Sequence, residues 1–237
     1  MKKILVINPG STSTKIAFYH DGEQVWKESI EHDAAEIKKY TVIYDQKEMR
    51  TALVLQTLAN HGEKISELSG VVARGGLLPS YTDPETGAVT TVASGAYEVT
   101  PALIEALRDR PVNHHASNLG CAIAYGIAQK AGVKAYIYDP VTVDELIDLV
   151  RITGLKDVRR VGQAHNLNMR AAAMKVCREK GIDYYGSNIV VAHLGGGITM
   201  SLHSNGCIVD IVSDDEGPFS PERAGLIPAY LMVRKIE

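Results

Sequence analysis

Hydrophobic and polar positions group along this chain into segments that predict strands interleaved with helices. Short apolar runs bounded by turn residues predict strands at residues 3–8, 14–20, 24–31, 69–74 and 134–139. Helical patterns cover residues 48–60, 101–109, 118–131 and 166–180. Thr100 and Pro101 add a start signal, since threonine is a good N-cap and proline fits the first helical position. This mixture is typical of an α/β fold.

Four other segments are also assigned from their residues. The stretch at 75–95, rich in Gly and Thr, predicts a loop and a hairpin. The polar stretch Thr142–Val150 predicts a helix. Ile208–Val212 predicts a strand, and Ser220 followed by Pro221 predicts the start of a further helix.

The same hairpin pattern occurs twice in the sequence. Residues Ile4–Gly22 and Ile189–Gly206 each contain a buried strand, a small-residue turn, a second strand and an Asp-Gly or Asn-Gly reversal. From the first Ile to the closing Gly, the offset between the copies changes by a single position, so they stay in register. This repeat predicts a duplicated domain, with two facing turns that hold a nucleotide between the domains. Two unrelated hairpins that merely look alike would give the same pattern.

The repeat also predicts where the domains lie. We expect a first domain over residues 1–150 and the start of a second over residues 151–237. Gly206, the end of the second copy, lies close to the end of the 237-residue chain, so the second domain is expected to be incomplete. The activity of the chain by itself is therefore left open.

Composition narrows the function classes. Hydrophobic residues make up 45% of the chain, as in a globular protein, and the net charge of −3 without a Lys/Arg stripe argues against a nucleic-acid partner. No apolar run is long enough to span a bilayer, so no membrane association is expected. Cys121, Cys177 and Cys207 are odd in number and far apart, which indicates neither a disulfide framework nor a zinc site. A reducing cytoplasm is the expected compartment.

A series of motifs links the chain to a family. Asn8–Lys15 resembles the Asn-x-Gly-Ser-(Ser/Thr)-Ser-x-Lys signature of the acetate and butyrate kinases, which are carboxylate kinases of the actin-like ATPase superfamily. Six further segments follow in the family's order: Ala73–Gly76, Asn113–Gly120, Tyr138–Pro140, His165–Arg170, His193–Gly197 and Asp214–Arg223. The Asn-Pro-Gly, Arg-Gly-Gly and triple-Gly forms resemble the butyrate kinases more closely than the acetate kinases. The resemblance covers residues 1–225.

The resemblance implies a fold and an activity. The implied fold is a duplicated actin-like (ribonuclease-H-like) α/β fold of two domains with the active site in the cleft between them. The implied reaction is the reversible ATP-dependent phosphorylation of a short-chain carboxylate, butyrate or a branched analogue, to an acyl phosphate, with Mg²⁺ as cofactor and a homo-oligomer as the functional unit. An acetate or propionate kinase stays open, and so does a non-catalytic truncated actin-like fragment that binds a nucleotide.

Four residues are expected to carry the catalysis that the resemblance implies. An anion must approach a polyanion in this transfer, so cations and N–H donors are required. Arg74 at the end of a predicted strand and Arg223 in the first turn of the last predicted helix meet this need, although either arginine alone would be taken for an ordinary surface residue. The resemblance adds His165, which is expected to hydrogen-bond the phosphoryl group in transit. It also adds Asp139, which precedes Pro140 and is therefore expected to be extended at a strand end, unless it is a simple turn carboxylate.

The resemblance also implies residues that bind ATP, magnesium and the acid. The expected ATP and phosphate ligands are small polar residues, a lysine, a histidine and a glycine triplet: Asn8, Ser11, Thr12, Ser13, Lys15, His193, Gly195, Gly196 and Gly197. Asn8 and Asp139 are the expected magnesium ligands. His114 and Asn118 are expected to line the acyl pocket. The adjacent His114 and His115 lack a third ligand at a useful spacing, which argues against a metal there.

Overall fold

Two units, Met1–Pro140 and Val141–Glu237, divide the chain in the computed structural model, which describes residues 1–82, 84–86 and 89–236. In the first unit, the described residues form these strands: β1 (Lys3–Pro9), β2 (Ser13–His20), β3 (Glu23–Glu31), β4 (Gly70–Arg74), β5 (Tyr81–Thr82), β6 (Val89–Thr90), β7 (Ala96–Glu98) and β8 (Ala135–Tyr138). β5 and β6 pair with each other, and they belong to the hairpin predicted at 75–95, part of which lies outside the described residues.

The other six strands of the first unit form one mixed sheet. Their order is β3-β2-β1-β4-β8-β7. β1, β4 and β8 run parallel, with Ile7 opposite Ala73 and Ala73 opposite Ile137, whereas β2, β3 and β7 are antiparallel to their neighbours. The carboxyl ends of the three parallel strands therefore lie side by side at one edge of the sheet, where ligands bind in open α/β sheets.

Helices cover one face of this sheet. The helices of the first unit are α1 (Ala34–Ile37), α2 (Lys47–Asn60), α3 (Pro101–Asp109) and α4 (Leu119–Ala131), with 3₁₀ turns at Ile43–Gln46, Ile65–Glu67 and Ala116–Asn118. α4 is apolar over most of its surface and packs against β4, β8 and α2. Leu5, Ile7, Ile16 and Phe18 alternate along β1 and β2 and are at most 1% exposed. Each such side chain contributes about 1.5–3 kcal/mol by burial.

The second unit has a three-stranded antiparallel sheet. Its elements are a 3₁₀ turn (Asp148–Arg151), α5 (Asn166–Lys180), β9 (Asn188–Leu194), β10 (Ile198–Ser204), β11 (Cys207–Val212) and α6 (Ala229–Ile236). The strand order is β11-β10-β9, and Ala173 and Cys177 of α5 pack against Ile189 and Val191 of β9. Among the described residues, no helix of either unit is both long enough and apolar enough to cross a membrane.

The repeated hairpin predicted from the sequence is present, and its geometry accounts for the change in offset. β1 and β2 pair up to Pro9 and Thr14, and β9 and β10 pair up to Leu194 and Ile198. Residues 10–13 therefore connect the paired positions of the first hairpin, whereas residues 195–197 connect those of the second. The turn of the second hairpin is one residue shorter than the turn of the first.

The likeness of the two hairpins extends to their irregularities. The register between the second and third strands shifts at Phe18–Tyr19 in the first unit and at Leu202–His203 in the second, which are equivalent positions of the two copies. Asp21–Gly22 and Asn205–Gly206 all have positive φ, between 47° and 93°, as a two-residue hairpin turn of type I′ requires. A shared bulge and a shared turn type support duplication over chance likeness.

The helix predicted at Thr142–Val150 is wrong. The described backbone there is irregular until the 3₁₀ turn that begins at Asp148. The Asp144 carboxylate accepts a hydrogen bond from Leu146 N at 3.2 Å and two more from Arg151, which holds a turn. Ile147 N donates to Val209 O at 3.2 Å, so the backbone pairs with a strand instead of with itself.

Candidate functional site

Three predicted site residues lie at the carboxyl edge of the parallel strands in the first unit. Asn8 lies near the end of β1, Arg74 is the last residue of β4, and Asp139 directly follows β8. Because β4 lies between β1 and β8 in the sheet, and neighbouring strands are about 4.8 Å apart, the three residues occupy adjacent positions along one edge. The sheet therefore brings together a guanidinium, an amide and a carboxylate that are far apart in sequence.

Arg74 is the cation of this edge. Its side chain is partly buried, and among the described residues it forms no hydrogen bond and no ion pair. Burial lowers the pKa of Arg74 below its ordinary value. The pKa of His115 is also lowered, first by the burial of His115 itself and second by the charge of Arg74. A desolvated guanidinium without a counter-ion is suited to bind an anion.

The two glycines after Arg74 allow the chain to pass close to its neighbours. A Cβ on Gly75 would lie 2.8 Å from the Cα of Pro140, and a Cβ on Gly76 would lie 2.7 Å from the Cα of Asn118. Both distances are shorter than a Cβ tolerates, so any larger residue would displace the end of β4. The Arg-Gly-Gly motif therefore fixes the position of the Arg74 backbone.

Asp139 has a conformation that the sequence did not predict. Its φ is +40°, so the expected extended conformation is wrong. The side chain is 1% exposed, and its Oδ1 accepts hydrogen bonds from Ser94 Oγ at 2.7 Å and Gly95 N at 2.9 Å. These bonds, together with a bond from Asp139 N to Gly95 O, hold the left-handed conformation. The carboxylate thus fixes a turn at the end of β8.

Asn8 offers an oxygen without a partner. Its Oδ1 is buried, and no hydrogen-bond donor among the described residues reaches it. Oxygen is the ligand that Mg²⁺ prefers, so Asn8 Oδ1 and the Asp139 carboxylate fit that ion by the chemistry of their donor atoms. The described ranges contain no cluster of three or more His, Cys, Asp or Glu side chains that would hold a metal by themselves.

The turn at residues 10–13 follows Asn8. Gly10 N donates to Ser13 O at 2.7 Å, which closes the turn. Among the described residues, the hydroxyls of Ser11, Thr12 and Ser13 form no hydrogen bonds, and Lys15 is exposed. These side chains are available to a ligand.

Sequence reasoning missed Arg50, which lies behind this turn. Arg50 is on α2, is 0% exposed, and donates hydrogen bonds to Gly10 O at 2.9 Å and Ser13 O at 3.2 Å. In the sequence, Arg50 is one charged position of a predicted helix, and nothing nearby marks it as a buried residue. The pattern of residues does not show that it reaches a turn 40 residues earlier.

The two residues expected at the acyl pocket line a cavity of the first unit. His114 and Asn118 line a cavity of about 540 Å³ with Leu107, Leu119 and neighbouring residues. The amide of Asn118 is already used, because its Oδ1 accepts from Leu77 N at 2.9 Å and its Nδ2 donates to Asn113 O at 2.9 Å.

His115, which the sequence analysis considered only as a metal ligand beside His114, is less exposed than His114. Its Nδ1 caps the 3₁₀ turn by accepting from Ser117 N at 3.1 Å. Burial, and secondly the charge of Arg74, lower the pKa of His115 and favour a neutral imidazole. His115 is therefore electrostatically linked to the candidate anion site.

The second unit brings two predicted site histidines together. The rings of His165 and His193 are stacked, with centroids 4.0 Å apart and planes 13° apart. His165 Nδ1 is 3.0 Å from Thr199 Oγ1, and His193 Nδ1 is 2.9 Å from Asn168 Nδ2. The hydrogen bonds fix the orientation of both rings.

The glycine triplet turns the hairpin next to these histidines. Gly195 N donates to Gly197 O at 3.1 Å. A Cβ on Gly196 would lie 2.5 Å from the carboxylate carbon of Glu222, and a Cβ on Gly197 would lie 2.6 Å from Asp214 Oδ2. Two acidic side chains therefore approach the turn closely, and a larger residue at either glycine would require them to move.

The helix predicted to follow Ser220 is wrong. Residues 220–223 form a tight turn, in which Ser220 N donates to Arg223 O at 2.9 Å. Ser220 Oγ does not cap a helix, because it donates to Gly196 O at 2.6 Å. Arg223 is therefore in a turn instead of a first helical turn, and its Nε lies 3.1 Å from Asp214 Oδ2.

Comparison with known proteins finds relatives that are similar in sequence. No protein-family model matches the chain. A curated relative, a probable butyrate kinase from Coprothermobacter proteolyticus, is 42% identical over 229 residues, which is 95% of this chain. The chain spans 61% of the length of that relative. The identity confirms the resemblance to the butyrate kinases.

Solved structures match the fold. Acetate kinase from Porphyromonas gingivalis has a TM-score of 0.70 at 19% identity, and the match covers 100% of this chain and 65% of that protein. A propionate kinase from Francisella tularensis has a TM-score of 0.68 at 13% identity, and the match covers 99% of this chain and 64% of that protein. The chain thus has the actin-like α/β fold of these kinases over the part of their length that it spans, as predicted.

Proposed function

We propose that this chain belongs to a carboxylate kinase, which transfers the γ-phosphoryl group of ATP reversibly to a short-chain acid. The proposed acid is butyrate or a branched analogue, and the products are an acyl phosphate and ADP. Support comes from the 42% identity to a probable butyrate kinase and from residues that fit each part of this chemistry.

The observation that carries the proposal is the state of Arg74. A partly buried guanidinium at the carboxyl edge of parallel strands has no partner among the described residues. Desolvating a cation without a counter-ion is unfavourable, and an anionic ligand offsets that cost. The planar fork of arginine matches both a carboxylate and a phosphoryl group.

The reaction requires little covalent help from the protein. A carboxylate oxygen of the acid forms a bond to the γ-phosphorus, and the bond from that phosphorus to the bridging oxygen breaks, with its electron pair leaving on ADP. The carboxylate is already ionised, so no general base is needed. The protein must bring two anions together and stabilise charge on the equatorial oxygens. We assign the first task to Arg74.

We assign the phosphates of ATP to groups of both units. In the first unit the hydroxyls of Ser11, Thr12 and Ser13 are available as donors. In the second unit the proposed contacts to the phosphoryl group in transit are His165 and Arg223. His193 and the glycine triplet are proposed as further ATP contacts.

The residues present fit magnesium, which carboxylate kinases use with ATP. When bound to the phosphates, the ion neutralises charge and makes the γ-phosphorus more electrophilic. Asn8 would contribute its orphaned amide oxygen, and Asp139 its buried carboxylate.

A homo-oligomer is also proposed, formed through a second copy of the second unit. One face of its sheet is apolar and exposed among the described residues: Val190, Leu194, Met200, Leu202 and Val212 are each between 37% and 76% exposed. Such a face favours association. Light scattering should show a multimer that Leu202→Lys weakens, and a monomer at all concentrations would contradict this part of the proposal.

The cytoplasm is the proposed compartment. All three cysteines, Cys121, Cys177 and Cys207, are free thiols, which suits a reducing environment.

An assay of product formation tests the proposed function. The protein is incubated with ATP, magnesium and, in turn, acetate, propionate, butyrate and isobutyrate, and the acyl phosphate is trapped with hydroxylamine as the hydroxamate. We expect the four-carbon acids to give the highest kcat/KM. A preference for acetate or propionate would favour the alternative kinase, and ATP binding without product would favour a non-catalytic protein.

A further inference from the structure

The carbonyl oxygens of the turn at residues 10–13 all face donors of the protein itself. Arg50 donates to Gly10 O at 2.9 Å, to Ser11 O at 3.4 Å and to Ser13 O at 3.2 Å. Thr12 O accepts from His32 N at 2.9 Å. The carbonyls of Gly10, Ser11 and Ser13 therefore point toward the buried guanidinium of Arg50, and the carbonyl of Thr12 points toward the backbone just after β3.

The amide groups of the same turn have the opposite environment. Among the described residues, no acceptor lies within hydrogen-bond distance of the N–H groups of Ser11 and Thr12, which lie outside the strands. The three hydroxyls of the turn also have no partner there. The turn thus presents donors on the side away from Arg50, as in the backbone concavities that bind anions.

Arg50 also places a charge directly behind this surface. The side chain is 0% exposed, and its other hydrogen bonds go to Gln46 Oε1 at 2.9 Å and Thr14 Oγ1 at 3.0 Å, both neutral groups. No acid in the described residues forms an ion pair with it. The only cause that shifts its pKa is burial, which lowers it. A buried cation without a counter-ion attracts an anion across the turn, since screening by water is weak in the interior.

His32 also contacts the residues around the turn. His32 Nε2 is 2.8 Å from Thr14 Oγ1, the hydroxyl that also accepts from Arg50. Burial, and secondly the charge of Arg50, lower the pKa of His32, which favours a neutral ring. The positive charge behind the turn is therefore that of Arg50.

The repeated hairpin of the second unit shows that a turn of this kind does not need such an arginine. There, Gly196 O accepts from Glu222 N at 2.9 Å and from Ser220 Oγ at 2.6 Å, and both donors are neutral. Two carboxylates approach that turn, as described above. Among the described residues, an arginine donates directly to turn carbonyls in the first hairpin and not in the second, although both turns need their carbonyls satisfied.

We propose that Arg50 is a positioning residue for phosphate binding: it holds the carbonyls of Gly10, Ser11 and Ser13 inward and lends its charge to the amide surface that meets a phosphate of ATP. This inference rests on the proposed function, because it assigns that turn to ATP. Arg50 does not touch the ligand; it acts through the backbone of the turn.

Pyrophosphate, measured by titration calorimetry on the full chain, is the probe for this role. Arg50→Gln removes the charge and most of the donors, and the affinity should fall about tenfold or more. Arg50→Lys keeps the charge without the planar fork and should restore most of the affinity. The matched control is Val54→Ala, one turn along α2 and 0% exposed, which should lower Tm while leaving the affinity within about twofold. Equal losses in Arg50→Gln and Val54→Ala at equal Tm would overturn the proposal.

A measurement on the unmutated chain keeps the test independent of the folding of Arg50→Gln. In ¹H–¹⁵N spectra, pyrophosphate should shift the amides of Ser11 and Thr12 and the Nε–H of Arg50, and shifts confined to other residues would overturn the inference. The hydroxamate assay separates this result from the proposed function. Pyrophosphate bound at the turn without acyl phosphate formation would contradict the kinase, whereas an active kinase with unshifted Ser11 and Thr12 amides would contradict only the role of Arg50.

Discussion

His165 and His193 stack face to face, with ring centroids 4.0 Å apart, although the whole of α5 lies between them in the sequence. α5 begins directly after the first ring, and β9 carries the second near its end, so the glycine turn and the histidine pair lie together. The stack gives His165 a fixed orientation, and a fixed orientation would suit the role proposed for it as a donor to the phosphoryl group.

His165→Ala should lower kcat by about 10²–10³, because removing one donor to transition-state charge has that effect. His193→Ala should lower kcat less, since it removes the stacking partner and a proposed ATP contact but leaves His165, the proposed donor to the transition state. Steady-state kinetics with ATP and butyrate measures both effects. The matched control is His61→Ala, which removes an equivalent stack on Trp26, also at 4.0 Å, in the first unit. Equal losses for His61→Ala and His165→Ala would show that only packing matters.

Arg223→Ala should reduce turnover far more than stability. An arginine that stabilises a transition state contributes about 10³–10⁵ in rate. The ion pair of Arg223 with Asp214 is partly exposed, so it contributes about 1 kcal/mol or less to the free energy of unfolding. Steady-state kinetics measures the loss of turnover, and a melting curve on the same sample measures the loss of stability. Arg159→Ala, which removes an exposed arginine paired with Asp148, should change neither quantity appreciably. Near-normal turnover of Arg223→Ala would remove Arg223 from the site.

The stability of the chain should fall as the pH falls below about 6.5, partly because of His203. This ring is 0% exposed, with Nδ1 2.9 Å from Tyr184 OH, and burial together with the charge of Arg170 lowers its pKa to about 4. The unfolded chain therefore takes up this proton first, so the contribution of His203, roughly 3 kcal/mol at most, is lost between pH 6.5 and pH 4. Urea unfolding at pH 7.5, 6 and 5 measures the slope. His203→Gln should show a shallower slope, and identical slopes would contradict the assignment.

Two glycines of α4 should respond oppositely to alanine. A Cβ on Gly120 would lie 2.6 Å from Arg74 O, so Gly120→Ala should destabilise the fold by about 1–3 kcal/mol and displace Arg74. A Cβ on Gly126 meets nothing within 4 Å, so Gly126→Ala should stabilise the helix by about 0.5–1 kcal/mol. Denaturant unfolding of both variants tests the packing that fixes Arg74. Stabilisation by Gly120→Ala would show that the close contact is not required.

The sequence predicted the elements whose hydrophobic periodicity is regular. β1, β2, β3, β4 and β8 and the helices α2 to α5 lie where the pattern places them, because burial on one face produces that pattern directly. The repeated hairpin was also predicted, including a one-residue change in offset that the shorter second turn explains. Motifs at strand ends suggested Asn8, Arg74 and Asp139 as candidate site residues, and parallel pairing accounts for their position at one edge of the sheet.

The errors arose where long-range hydrogen bonds replace local signals. Ser220 has the residue type of a helix cap, but its hydroxyl bonds to Gly196, which only the fold brings near. The left-handed backbone of Asp139 depends on Ser94 and Gly95, some 44 residues earlier. Arg50 was missed for the same reason, since its acceptors lie in another element.

The most direct test of the central claim is the effect of Arg74→Ala on acyl phosphate formation from ATP and butyrate. If Arg74 binds the anion at the carboxyl edge of the parallel strands, the variant should lose about 10³-fold or more in kcat/KM while its Tm stays within a few degrees of the unmutated protein. Arg110→Ala, an exposed arginine of the same unit, should retain full activity. A folded Arg74→Ala protein that forms butyryl phosphate as fast as Arg110→Ala would contradict the account.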